Sequence, residues 1–367
     1  MSWPLPGDIA LPDALTAHIN RIGTATPAND VHQAFIDFAR ATLTDKRACR
    51  LFDRMAERSG VAHRYSHLLP AADQGASLDS AGFYRRGAFP GTADRMRAYE
   101  QHATDLAVQA VEALDPGPIT HLIVASCTGF TAPGIDQRIA DRLQLGGGLQ
   151  RTLVGFMGCY AAVPALRLAH QAVRSDPTAR VLVVALELCT LHLQETQDLE
   201  TVLSFLIFGD GAAAALVTAE PSGIALHGFH AATIPDTQDL ITWRIGDQGF
   251  DMRLSGKVPG AIAAALRTEA DRNDNEGMLG GQDVRDIVHW AVHAGGRTVL
   301  DAVEQGLRLS ATALAHSRAV LNDVGNVSSA TLGFVLQRML AQTTTGPGIA
   351  LAFGPGLCAE SFRFSRV

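Results

Sequence analysis

Residues 152–173 read TLVGFMGCYAAVPALRLAHQAV: a short apolar run over 152–156, a Gly-Cys turn at Gly158-Cys159, and a helix with apolar periodicity over 161–173. Strand, tight turn and helix follow within some twenty residues, and the same order occurs on either side. Residues 119–124 predict a buried strand, 128–134 a turn, and a helix starts at about 135. After the Asp176-Pro177 break, 181–186 predict a further strand. Such alternation specifies an α/β fold with its strands covered by helices.

The likeliest division falls at Glu220-Pro221-Ser222-Gly223, where a Gly/Ala-rich strand over 212–217 ends. Beyond it the theme returns: a strand at 287–292, a helix at 297–306, a turn and helix at 325–340, and a strand at 349–353 running into Gly354-Pro355-Gly356. The expectation is a duplicated architecture, residues 1–220 forming one half and 221–367 the other.

Composition bounds the function. A chain of 367 residues, 47% apolar and 18% charged, buries a full core without staples. A net charge of −7 argues against general nucleic-acid binding, leaving only local basic stripes for anions. The five cysteines, Cys49, Cys127, Cys159, Cys189 and Cys358, form no C-x-x-C pair or Cys/His cluster, so neither a disulfide framework nor a metal site is expected. Reduced thiols suit the cytoplasm. The segment 1–11 lacks the charged and apolar regions of a signal peptide, and no run is long enough to span a membrane.

Three residues at strand-to-helix turns carry candidate chemistry. Cys159 is placed where a helix dipole would lower its pKa and make it a nucleophile, although a lone cysteine is more often a small core residue. His293 closes an apolar strand before Gly295-Gly296, glycines that let a ligand come close beside the imidazole. His289, four residues earlier, invites a zinc reading that fails for want of a third ligand or a H-E-x-x-H glutamate. Asn326 opens a helix; an N-cap role is the plain alternative, but Asn322 can also cap, leaving Asn326 free. Cys, His and an amide together suit acyl transfer with decarboxylation, the His and amide stabilising an enolate and no metal or redox cofactor being needed.

On these residues the chain resembles the type III polyketide synthases, the chalcone and stilbene synthase-like family. The resemblance covers nearly the whole length: Met157-Gly158-Cys159 looks like the nucleophile turn, Leu206-Ile207-Phe208-Gly209-Asp210-Gly211 the gate segment, and His293-Ala294-Gly295-Gly296 the histidine motif. Gly325-Asn326-Val327-Ser328 and Phe353-Gly354-Pro355-Gly356 resemble the asparagine and C-terminal glycine motifs. It implies a thiolase-like αβαβα layered fold built from two similar halves, a homodimer, Cys159 as nucleophile, His293 and Asn326 as decarboxylation donors, and Phe208 as a gate. Acyl-CoA and malonyl-CoA are the implied substrates, with no cofactor besides. Lys46, Arg50, Arg54 and Arg58 recur every fourth residue; Arg54 and Arg58 match positions that hold coenzyme A phosphates, and Arg50 substitutes for a basic position falling on Leu51. Gly295 and Gly296 belong to the same CoA path.

Departures bear on product. Ala294 and Arg297 stand where plant members carry prolines, Met252 replaces a second gate phenylalanine, and Trp243 falls at a cavity glycine. Small Thr128, Ala132 and Cys189 resemble the positions that open a tunnel for fatty acyl starters, pointing to an alkylpyrone or alkylresorcinol. Cys127 resembles bacterial enzymes that use malonyl-CoA alone to make tetrahydroxynaphthalene. A ketoacyl-acyl carrier protein synthase would carry His-Gln-Ala-Asn at the histidine motif, and this chain does not. Gly209-Asp210-Gly211 and Gly146-Gly147-Gly148 miss the dinucleotide pattern, and no G-x-S-x-G supports a serine hydrolase. A non-catalytic paralogue would show a Cys159 inert to iodoacetamide.

Overall fold

The computed structural model of the chain describes residues 15–272 and 277–367. Nine strands form its main sheet: β1 (His18–Ala25), β2 (His121–Ser126), β3 (Gln150–Gly155), β4 (Val181–Leu188), β5 (Asp210–Thr218), β6 (Ile224–Thr233), β7 (His289–Val292), β8 (Gly346–Gly354) and β9 (Cys358–Arg366). Six helices matter here: α1 (Lys46–Glu57), α2 (Thr92–Glu112), α3 (Ala162–Ser175), α4 (Val258–Ala270), α5 (Arg297–Leu307) and α6 (Thr331–Leu340).

The strand order is β7-β8-β9-β6-β1-β5-β4-β2-β3. Outward from the centre, β5 is antiparallel to both β1 and β4, and β4 runs parallel to β2. On the other side β6, β9 and β8 repeat the antiparallel pattern, and β8 runs parallel to β7. Only two residue pairs, His18↔Ala225 and Ile19↔Ile224, join β1 to β6 across the middle.

Strands covered on both faces read as continuous apolar runs, and β4 is wholly buried. Its alternate residues part company: Leu182, Val184 and Leu186 pack with Tyr99, Leu106 and Val111 of α2, whereas Val181, Val183 and Ala185 meet Leu166 and Ala169 of α3 and Leu332 and Leu336 of α6. In the other half Ala350 and Ala352 of β8 join that same central helical layer, while Ile349, Leu351 and Phe353 face Ile262 and Leu266 of α4 and Leu300 and Val303 of α5. The result is five layers, helix–sheet–helix–sheet–helix. The expected strand over 287–292 begins only at His289, because Asp283 accepts from the Arg285 amide and tightens 284–286 into a 3₁₀ turn.

Candidate active site

Cys159 lies in a 3₁₀ turn, Gly158–Tyr160, between β3 and α3. The turn is held open by unusual backbone: Phe156 has φ 57° and Gly158 φ 77°. A Cβ on Gly158 would come within 2.5 Å of Pro355 Cδ, and one on Gly354 within 2.5 Å of Tyr160 Cδ1. The Gly354-Pro355-Gly356 motif therefore acts as the bed on which the cysteine turn rests.

Ser328, also left-handed at φ 48°, places its hydroxyl 3.6 Å from the Cys159 sulfur and 3.6 Å from that of Cys127. The Asn326 amide also interacts with the Cys159 thiol. Its orientation is fixed: Oδ1 accepts from the Ser328 amide at 2.8 Å and from Thr331 Oγ1 at 3.3 Å, and Nδ2 donates to Gly295 O at 3.3 Å. Asn326 is thus not spared a capping role, as the presence of Asn322 suggested. Its carbonyl caps the turn, and that capping aims Nδ2, with a second hydrogen to give, at the cysteine and histidine turns.

His293 follows β7, its amide donating to Leu351 O at 2.8 Å. The ring is 2% exposed, and neither nitrogen has a hydrogen-bond partner among the described residues. A Cβ on Gly295 would lie 3.5 Å from its Nε2, so a glycine here keeps a side chain off that nitrogen. Burial alone pushes the imidazole down to about 3, and burial, opposed by hydrogen bonds from Ser328 and Asn326, pushes the Cys159 thiol up to about 11. The dipole-lowered thiol expected from sequence is not what the isolated group shows, because desolvation outweighs the dipole of a helix that begins only at Ala162.

Beneath the thiol lies a residue that the sequence reading did not single out. Glu187, fully buried at the end of β4, accepts from the Cys127 amide at 3.0 Å, Cys127 Sγ at 3.2 Å, Thr128 Oγ1 at 2.8 Å and Ser329 Oγ at 2.5 Å. Burial raises its pKa despite those donors. The available signal was a lone carboxylate in the apolar strand Val181–Leu188.

The substrate candidates divide. Cys189, Phe208 and Met252 form one buried cluster, with Ile207 and Trp243 against it. Thr128 and Cys127 adjoin it through the Trp243 indole, which donates to Cys127 O at 3.2 Å. Ala132 stands apart, exposed on the segment beyond Phe130. On the basic helix α1, Arg50 and Arg54 are exposed, while Arg58 at its C-cap lines a cavity of about 280 Å³ with Met55, Ile207, Gly295, Gly296 and Arg297. That cavity joins the basic helix to the histidine motif. Among the described residues no group of three His, Cys, Asp or Glu side chains could hold a metal ion.

Five alternating layers, with a cysteine and a histidine each at a strand-to-helix turn and an asparagine at the turn between the helix Ala315–Val324 and α6 rather than after a strand as expected, define a thiolase-fold condensing enzyme. Family models narrow this: residues 12–221 match the chalcone and stilbene synthase N-terminal domain and 226–367 the C-terminal domain of the same family. The chain is 31% identical to an alpha-pyrone synthesis polyketide synthase-like protein, Pks18, of Mycobacterium tuberculosis, over 97% of this chain and 93% of that protein. Bisdemethoxycurcumin synthase of Oryza sativa subsp. japonica is 33% identical over 95% and 92%. The type III polyketide synthase domain of Steely1 from Dictyostelium superposes with a TM-score of 0.85 at 25% identity, covering 96% of this chain and 99% of that one. Polyketide synthase PKS-I of the brown alga Ectocarpus siliculosus gives 0.84 at 27%, covering 97% and 100%. The chain belongs to the chalcone and stilbene synthase family of type III polyketide synthases, and is an acyltransferase.

Proposed function

We propose that the protein loads an acyl group from acyl-CoA onto Cys159 and extends it with malonyl-CoA to an alkylpyrone or alkylresorcinol. In loading, His293 takes the thiol proton and the thiolate displaces coenzyme A from its thioester, so that the acyl group passes from one sulfur to the other. Malonyl-CoA then occupies the same cavity, its thioester oxygen accepting from His293 and from the second Asn326 Nδ2 hydrogen. Loss of CO₂ leaves an enolate, stabilised by those donors, whose carbon attacks the acyl-Cys159 thioester and restores the thiolate. No cofactor enters any step.

The observation that carries this reading is the buried, unpartnered His293 beside an Asn326 whose amide is fixed toward Cys159. Arg58, Gly295 and Gly296 along the 280 Å³ cavity support a CoA path, and Arg50 and Arg54 are exposed on the same helix as Arg58 without lining that cavity. Trp243 packed beside Phe208 and Met252 supports the exclusion of a bulky aromatic starter, and the small side chains of Thr128 and Cys189 support a medium or long alkyl chain. The pyrone-forming Pks18 relative supports the same product class. Cys127, on Ser328 opposite Cys159, favours the second reading, a malonyl-CoA-only tetrahydroxynaphthalene synthase.

The proposal includes the division into 1–220, bearing the nucleophile, and 221–367, bearing His293 and Asn326. It includes a homodimer as well: β3 is the outermost strand, Leu153 on it is 44% exposed, Phe130 is 42% exposed, and Ala132 lies on that face. Reduced cysteines support a cytoplasmic setting, and no helix among the described residues is long and apolar enough to cross a membrane. The test is incubation with labelled malonyl-CoA and acyl-CoAs from acetyl to stearoyl, with products identified by mass spectrometry. Pyrones or resorcinols from the longer starters are expected. Product from malonyl-CoA alone would support the second reading, and no product with any starter overturns both.

A further inference from the structure

We infer that Arg64 is a positioning residue that sets the gate segment and Asn326 together, and through them the decarboxylation step. This rests on the function proposed above. Arg64 is 2% exposed, and among the described residues no carboxylate accepts from its guanidinium; Nη1 donates to Phe205 O at 2.8 Å and Phe208 O at 2.7 Å, and Nε to His32 Nδ1 at 2.9 Å. Both carbonyls belong to the strap that carries the gate ring of Phe208. The strap in turn is bonded to the asparagine on both sides, Asn326 N donating to Ile207 O at 2.8 Å and Gly209 N to Asn326 O at 3.0 Å. One planar guanidinium thus fixes the segment to which the Asn326 backbone is tied.

The packing leaves little slack. A Cβ on Gly325, at φ +72°, would lie 2.6 Å from Ile207 O and 2.9 Å from Arg64 Cγ. A Cβ on Gly209 would lie 3.1 Å from Val324 O and 3.5 Å from Arg64 Cβ. The two glycines let the arginine segment, the strap and the asparagine turn meet backbone to backbone. Burying a cation against carbonyls and a neutral imidazole is costly, and burial draws the guanidinium down to about 9 despite Asp30 and Asp210 nearby. Its Nη2 has no partner among the described residues. An apolar side chain would fill this space at lower cost, so a cation buried here points to a demand for geometry.

Loading requires Cys159 and His293; decarboxylation requires His293 and Asn326. Freeing the strap therefore separates the two half-reactions. The experiment follows acyl-Cys159 formation by intact-protein mass spectrometry and acetyl-CoA release from malonyl-CoA in wild type, Arg64→Met, Arg64→Lys and Gly209→Ala. A displacement of about 1 Å costs about 10²-fold in a positioned reaction. Loading within about threefold of wild type is expected, with decarboxylation about 10²-fold lower in Arg64→Met and less reduced in Arg64→Lys. The loss should fall on kcat more than on the KM for malonyl-CoA. Gly209→Ala keeps the guanidinium while pressing the strap, so a smaller loss with the same split is expected even should Arg64→Met fail to fold. Equal losses in both half-reactions, tracking Tm, or unchanged decarboxylation in a folded variant, overturn the inference. A wild-type enzyme inert in both half-reactions overturns the proposed function itself.

Discussion

Replacing Gly158 by alanine tests whether the C-terminal glycine motif supports the nucleophile turn. Gly158 and Gly146 share nearly the same backbone, φ 77° and 81°, but a Cβ on Gly158 meets Pro355 Cδ at 2.5 Å and Cγ at 2.8 Å, whereas one on Gly146 has nothing within 4 Å. Left-handed backbone costs a non-glycine residue about 1–2 kcal/mol. Overpacking adds about 1–3 kcal/mol at Gly158 alone. Gly146→Ala should therefore lower stability by only the first amount, and Gly158→Ala by about 2–5 kcal/mol in all. The activities should differ more sharply, because Cys159 follows Gly158 directly and a shift of about 1 Å at a reacting group costs about 10²-fold. The assay is denaturant unfolding with kcat for polyketide release on both variants. Wild-type turnover in Gly158→Ala, or equal destabilisation of the two, would refute the reasoning.

Two further perturbations probe the buried charges. Without His293 to accept its proton, Cys159 is left to burial, which holds the thiol at about 11. In His293→Gln the iodoacetamide reaction should therefore rise with pH through 9 without a plateau and run at least about tenfold slower at pH 7 than in wild type, where ion-pair formation gives a plateau. Identical profiles would count against the Cys159–His293 pair. Glu187→Ala strips acceptors from Cys127, Thr128 and Ser329 in a fully buried site, and should cost about 3–5 kcal/mol in denaturant unfolding. A loss under about 1 kcal/mol would mean that water or a neighbour replaces the carboxylate.

The strands and helices that flank the chemistry were legible because each has a simple cause. The run at 181–186 is apolar throughout because both faces of β4 are covered, and 152–173 shows its change of period at the cysteine turn. The central strand β1, reading HINRIGTA, gave no comparable signal: exposed Arg21 interrupts it, and its bonding depends on β5 and β6, far along the chain, as in Ala25↔Ala212 and His18↔Ala225. The last strand, β9, alternates polar and apolar residues and is held by β8 and β6. Among the site residues, Cys159, His293 and Asn326 could be named from motifs, since each stands at a turn with small neighbours. Ser328, Glu187 and Arg64 owe their roles to long-range packing. The carbonyls that Arg64 binds lie more than 140 residues along the chain, and the donors to Glu187 come from two separate turns. The thiol's pKa followed burial, which spacing does not encode.

The central claim, that Cys159 carries the acyl chain, is tested most directly by mixing the pure protein with one long acyl-CoA, without malonyl-CoA, and recording its intact mass and peptide map. The account predicts one acyl adduct per chain, located on Cys159 and absent from a folded Cys159→Ala variant that also makes no polyketide. An adduct that persists in Cys159→Ala, or full turnover by that variant, would contradict it.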